Sequence, residues 1–146
     1  MNDRLGGAHG ERDLARLLRD LRPRLHDGAF VFARWHESAT PPESAIGWFR
    51  ELEGPSIVLP LADARARGLA FEGEMAWITL EVHSALDAVG LTAAVASALA
   101  AKGIACNVVA ALRHDHLFVP VERGAEALRA LRQLAADQTR VADDIH

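Results

Sequence analysis

An α+β fold, with antiparallel strands and helices packed on one face, is what this 146-residue sequence predicts on three observations. Residues 78–121 read without a break as strand, glycine-bearing loop, helix, strand, tight turn and strand. A helical pattern follows directly, and several short strand-like runs bounded by turn residues precede it. Half the residues are apolar and a quarter are charged, the balance of a globular chain. At this length folding removes roughly 70% of the unfolded surface from water.

Residues 1–10 carry three glycines and no periodicity, and are expected to form a flexible leader. From residue 11, Leu14, Leu17, Leu18 and Leu21 recur at helical spacing until Pro23 stops the helix. Residues 29–35 (AFVFARW) are rich in β-formers and follow the turn signal Asp27-Gly28, so they read as a strand; residues 36–44 read as a loop. Residues 46–52 and 56–59 are two short strands joined at Glu53-Gly54-Pro55, whose glycine and proline suit a reversal. Pro60 ends the second, and residues 61–67 form a short amphipathic helix closed by Gly68.

Glu72-Gly73 reads as another turn before a strand over residues 75–82. There Ala76, Ile78, Leu80 and Val82 share one face, and Trp77, Thr79 and Glu81 the other. Leu91, Ala94, Val95, Ala98 and Leu99 mark the buried face of the next helix, which Lys102-Gly103 terminates. Residues 106–112 and 117–121 pair as a hairpin across residues 113–116. A last helix from residue 122 to about 136 buries Ala125, Leu128, Leu131 and Ala135, and residues 137–146 are expected to be a loose tail.

Strand, helix, strand, strand, helix is the ferredoxin-like plan without its final strand. The first half, with three strand-like runs and one short helix, offers a replacement. Two βαββα units in tandem are therefore expected, residues 11–72 with the N-terminal helix and residues 73–136, with the missing edge completed across the chain or between chains.

The formal net charge of −4, with basic residues interspersed among acids, argues against nucleic acid as a partner. Cys106 is the only cysteine, so no internal disulfide forms, which is compatible with a reducing compartment. No segment approaches the ~20 apolar residues needed to span a bilayer, and residues 1–13 lack the apolar core of a secretory signal. No membrane association and a cytoplasmic location are the resulting expectations.

Residues 53–60 (EGPSIVLP), residues 77–120 and the helix that follows resemble a family of small bacterial tandem-ACT proteins, similar in architecture to the ACT-repeat arginine sensors of animal cytoplasm. The resemblance covers about residues 12–136, and HSALDAVGLTA, GIACNVVA and HDHLFVP are its most specific words. It implies paired ACT units, dimerisation through sheets or helices, and effector binding at interfaces. In ACT domains, ligand sits where the loop after the first strand meets the next helix, opposite the second strand of a neighbouring unit. On this chain that loop is residues 83–90, with His83, Ser84, Ala85, Asp87 and Val89 in it. The facing strand begins at Ala105-Cys106-Asn107. Val89-Gly90 stands where the usual loop has a proline-glycine pair, so the close-approach glycine is kept and the proline is not.

The residues support the same site on their own chemistry. A helix starting near Gly90 exposes unpaired N–H groups and its positive dipole end, a setting for an α-carboxylate. Ser84 and Asn107 offer neutral hydrogen bonds, and Asp87 or Asp115 pairs with an ammonium group. The expected ligand is an amino acid or related small metabolite, bound without covalent chemistry, cofactor or metal by a homodimer.

Blander readings stand beside this one. Ser84 and Asp87 cap the helix or satisfy the loop, and Gly90 serves backbone geometry. Asp115 bonds the backbone of a turn flanked by His114 and His116. Trp35, Trp48 and Trp77 pack in the core or an interface. Cys106 is a small apolar thiol without an activating partner. Two alternative functions remain: an interaction module without ligand, and a small metal-dependent hydrolase around His83, His114, Asp115 and His116. Adjacent residues on a hairpin point in different directions, and no nucleophile elbow or helical histidine pair supports the hydrolase.

Overall fold

The structure, a computed structural model, describes residues 13–36, 39–82, 84 and 88–144. The leader over residues 1–10 lies outside them. α1 (Leu14–Arg19) starts at Asp13, whose carboxylate accepts the Arg16 backbone N–H at 3.0 Å. It ends well before Pro23. Leu21 nevertheless reaches the core from the turn beyond, which is why the apolar spacing outran the helix.

Pro23 opens a strand that the sequence reading missed, β1 (Pro23–Leu25). A proline at a strand's first residue gives up one ladder donor and is tolerated there. β2 (Phe30–Arg34), β3 (Gly47–Glu51) and β4 (Gly54–Pro60) follow, then α2 (Leu61–Ala66) and β5 (Phe71–Leu80). The described part of residues 35–46 holds no helix. α3 (Leu91–Ala100), β6 (Asn107–Ala110), β7 (Asp115–Pro120), a 3-10 turn (Val121–Arg123) and α4 (Gly124–Asp143) complete the chain.

The strands form one antiparallel sheet in the order β3-β4-β2-β5-β7-β6, with β1 pairing β5 beside β2. Glu72-Gly73 is not a turn. Phe30 pairs Met75 and Phe32 pairs Glu72, so β5 carries one extra residue, and Gly73 at φ 64° supplies the left-handed geometry of that bulge. β5 therefore runs unbroken across the join of the two halves. Residues 71–75 pair with β2 and residues 78–80 with β1.

This sharing completes both ferredoxin-like plans. In the second half, β5, β7 and β6 take three sheet positions and β1 takes the fourth. In the first half, β2, β4 and β3 take three, and the start of β5 takes the fourth. The α+β, tandem ferredoxin-like expectation holds, with each half lending the other an edge.

All four helices cover one face of the sheet. α1, α3 and α4 bury Ile78, Leu80, Leu117 and Val119 with Leu17, Val95, Leu99 and Leu131, and α2 covers Val31, Ala33, Ile57 and Leu59. Each Val, Leu and Ile side chain among these contributes about 1.5–3 kcal/mol by leaving water. The opposite face carries Phe30, Phe32, Val58, Met75, Trp77, Val109 and Phe118 and, among the described residues, no helix.

Two helix expectations need correction. α4 runs to Asp143, so residues 137–143 are helical rather than loose. Once a helix is nucleated each further residue adds a hydrogen bond, and the Gln133 amide donates to Asp137 at 2.7 Å along this stretch. Its buried face is Gly124, Ala127 and Leu131, with Ala125 exposed, because the 3-10 turn rotates the helix entry.

Candidate functional site

α3 begins at Gly90, whose φ of 101° lies in the left-handed region and whose position carries no side-chain cap. Ser84 is thus not the cap of α3. It sits at an isolated bridge, half-buried, with its N–H donating to the Val82 carbonyl at 3.1 Å. His83, Ala85 and Asp87 lie outside the described residues. Val89 is 83% exposed. Leu14 of α1 leans against Gly90: a Cβ there would lie 2.9 Å from its Cδ2. Gly90 is a close-approach position, and the approaching group in the single chain is a leucine methyl.

Asp115 is the first residue of β7, opposite Leu80 and Ala110, rather than part of the turn. The hairpin reverses over residues 111–114, closed by the Ala111 N–H donating to the His114 carbonyl at 3.2 Å. Burial pushes the Asp115 carboxyl above its ordinary range, against the pull of His116 and His114. It sits at the end of β5 from which the loop to Gly90 departs.

Asn107 opens β6 opposite Phe118, exposed, with half-buried Cys106 before it. Burial raises the Cys106 thiol pKa, and Sγ lies 3.8 Å from the Asn107 carbonyl oxygen, so a protonated thiol is favoured. Asn107 and Gly90 stand at opposite ends of the ten-residue α3, about 15 Å apart at 1.5 Å per residue. The candidate residues consequently form two groups in one chain: Ser84, Val89, Gly90 and Asp115 at one end, Cys106 and Asn107 at the other.

A polar cluster unforeseen as a site lies on the helix-free face. The Trp77 indole N–H donates to His116 Nδ1 at 3.0 Å, Thr79 Oγ1 lies 3.1 Å from the same nitrogen, and His26 Nε2 lies 2.7 Å from Thr79 Oγ1. His26 stacks on Trp77 with ring centroids 3.4 Å apart. Burial lowers the pKa of both histidines, and the positive charges each faces add to the effect. The signal was present: Trp77 and Thr79 alternate on β5, as His116 and Phe118 do on β7, a period-two pattern that aligns four side chains on one face. Among the described residues no three His, Cys, Asp or Glu side chains gather in a form able to hold a metal. No described helix is long and apolar enough to cross a membrane.

Family models described as ACT domain match residues 9–76 and residues 72–133. Comparison with curated proteins finds no match. Among solved structures, a Vibrio cholerae protein of unknown function, described as a possible transport protein, is 41% identical over 84% of this chain and 95% of its own, with a TM-score of 0.71. An Agrobacterium tumefaciens protein shares 23% identity over 79% of this chain and 89% of its own, at a TM-score of 0.63. The ligand-free regulatory subunit of aspartate kinase from Thermus thermophilus, 12% identical, shares the fold at a TM-score of 0.57 over 77% of this chain and 95% of its own. With two adjoining matches running through the shared strand β5, the chain belongs to the ACT-domain family and carries two ACT segments in tandem.

Proposed function

We propose that this protein is a non-catalytic regulatory or sensor protein that binds an amino acid or a similar small metabolite between two ACT units. The observation that carries the reading is the start of α3, where Gly90, which has no side chain to cap with, opens a ten-residue helix. The first-turn N–H groups lack intrahelical partners, and the dipole there favours an α-carboxylate. Ser84 supplies a hydroxyl at that end, Asp115 a carboxylate for the ammonium group, and His83, Ala85, Asp87 and Val89 the rest of the loop.

Cys106 and Asn107 join this end only if a second copy brings its β6 against the first copy's loop, since about 15 Å of α3 separates them within one chain. A homodimer is therefore part of the proposal, and Leu14 moves aside from Gly90 when ligand enters. Binding free energy then favours one arrangement of the two copies, which is the regulatory output. The cytoplasm, where free amino acids are sensed, suits such a protein.

Calorimetry across the common amino acids tests this, with sedimentation run alongside. Asn107→Ala is exposed and leaves the fold intact, so it is expected to weaken a hit at least severalfold. Gly90→Val, which adds a branched side chain at positive φ, is expected to abolish it. A hit indifferent to both changes misplaces the site, and no hit in any dimeric sample ends the reading. One observation favours a second reading, association without ligand: the edge strand β3 exposes Trp48 at 40% and Phe49 at 47%.

A further inference from the structure

β3 and β6 are the two ends of a six-strand path, and on a flat sheet their axes lie roughly 24 Å apart at ~4.8 Å per strand. Here both line one cavity of about 240 Å³ on the helix-free face. The sheet has curled until its edges face each other. Val58 and Phe118, 2% and 1% exposed, form the floor, Phe49 comes from the β3 wall beside the Gly47–Trp48 backbone, and Val109 and His116 from the side of β6 and β7. Apolar and aromatic groups make up most of that wall.

His116 is the ionisable side chain on this lining. An indole N–H only donates, so Nδ1, which accepts from Trp77, carries no proton. The Thr79 hydroxyl then also donates to Nδ1, and His26 Nε2–H donates to the Thr79 oxygen. Burial holds the ring neutral, which places its one proton on Nε2. Nε2 has no hydrogen-bond partner among the described residues and is left to the cavity.

We propose that this cavity is a second ligand site, separate from the start of α3, for a small uncharged molecule with an aromatic or branched apolar body and one hydrogen-bond acceptor, such as a ketone. An apolar cavity of roughly 150 Å³ already holds benzene, so the volume suits a substituted ring. The aromatic walls take the body, and His116 Nε2–H takes the acceptor. A carboxylate is disfavoured, because among the described residues no lysine or arginine lines the walls to replace its hydration. A zwitterion is disfavoured for the same reason, so this is not a copy of the amino-acid site.

The test is a titration of the full chain with acetophenone, ethylbenzene and benzoate, followed by the His116 ring signals in NMR and by the fluorescence of Trp48 and Trp77. Acetophenone is expected to bind about fivefold more tightly than ethylbenzene, the worth of one net hydrogen bond, and more tightly than benzoate. His116→Phe is expected to erase the preference for acetophenone over ethylbenzene. Val109→Trp, which fills the cavity from the edge strand, is expected to abolish both. Probe binding unaffected by Val109→Trp, benzoate binding as well as acetophenone, or no shift of the His116 ring with any probe overturns the proposal. So does a Val109→Trp change that alters sedimentation but not the titration, because the cavity would then be a contact between copies.

Discussion

Gly124→Ala reverses the usual sign of a glycine-to-alanine change in a helix. Alanine in a helix interior is ordinarily favoured over glycine by about 1 kcal/mol. At Gly124, the first residue of α4, an added Cβ would lie 2.7 Å from the Ala76 Cβ and 3.5 Å from Leu25 Cδ1. Neither Cβ has a rotamer through which to retreat, and carbon atoms prefer about 3.5–4.0 Å, so backbone must open by ~1 Å. Ala76 is 3% exposed and sits in the strand both halves share, so α4 has to lift from β5. Overpacking of this kind costs about 1–3 kcal/mol, and the 2.7 Å approach of two carbons without rotamers places it in the upper part of that range, so that after the propensity gain a net loss of up to about 2 kcal/mol remains. For a chain of this size that is a fall in Tm of up to about 8 °C. Urea and thermal unfolding followed by circular dichroism read the effect. Ala76→Gly in the same chain should recover most of the loss by giving the new methyl its space. Gly47→Ala, where nothing lies within 4 Å and φ is ordinary, is the control and should be near neutral. If Gly124→Ala raises Tm, or the two changes at 76 and 124 add within about 0.5 kcal/mol, the close packing of α4 on β5 is refuted.

Asp115→Asn should stabilise the protein at pH 7. Its carboxyl pKa is raised on folding by burial, so the unfolded chain ionises first as pH rises above 3.8 and Asp115 costs stability above that window; urea midpoints at pH 7 and pH 3 should show the gain only at the higher value. The opposite dependence comes from His26 and His116, whose lowered pKa values make the unfolded chain bind more protons as pH falls below about 6.5. Stability should fall from pH 7.5 to pH 5.5, and a midpoint that rises over that range refutes the neutral assignment. Thr79→Val, at a side chain only 3% exposed, removes the hydroxyl between the two histidines and should cost about 1–3 kcal/mol, checked by urea unfolding at pH 7.5. Cys106 should react with a disulfide reagent at pH 7 more slowly than a free thiol, since burial raises its pKa; a faster reaction would reveal an activating partner.

Periodicity carried the helix-covered half of the fold. Ile78 and Leu80 alternate on β5, and Leu91, Val95 and Leu99 repeat on α3, because each set points to one dense core. What periodicity missed follows from residues that have two uses. Pro23 stops a helix or starts an edge strand, and only the open side of β5 decides between them. Gly73 at φ 64° serves a hairpin turn or a bulge equally well, and only the partner strand's register tells them apart. Both misreadings concern strand pairing between halves, which no local window contains. Asp137 and Arg140 are polar because that part of α4 is exposed, so polarity there marked a solvated helix face and not a loose end.

The same division governs the sites. Gly90 was legible because a left-handed start to a helix demands glycine whatever binds there. The opposition of Asn107 to that end of α3 was not, since a βαβ crossover returns the chain along its helix and puts the start of the next strand at the far end. His116 was visible only as a neighbour of His114 and Asp115, a grouping by sequence that the strand pleat undoes. On β7 its partner is Thr79 across the ladder, and with Trp77 and His26 it forms a half-buried network whose members come from two strands and a turn. Curling of the sheet then brings that network to the wall of a cavity bounded by residues about sixty apart in sequence, Trp48 and Val109. A site that depends on curvature leaves no spacing to read, only side chains too large or too polar for the face they occupy.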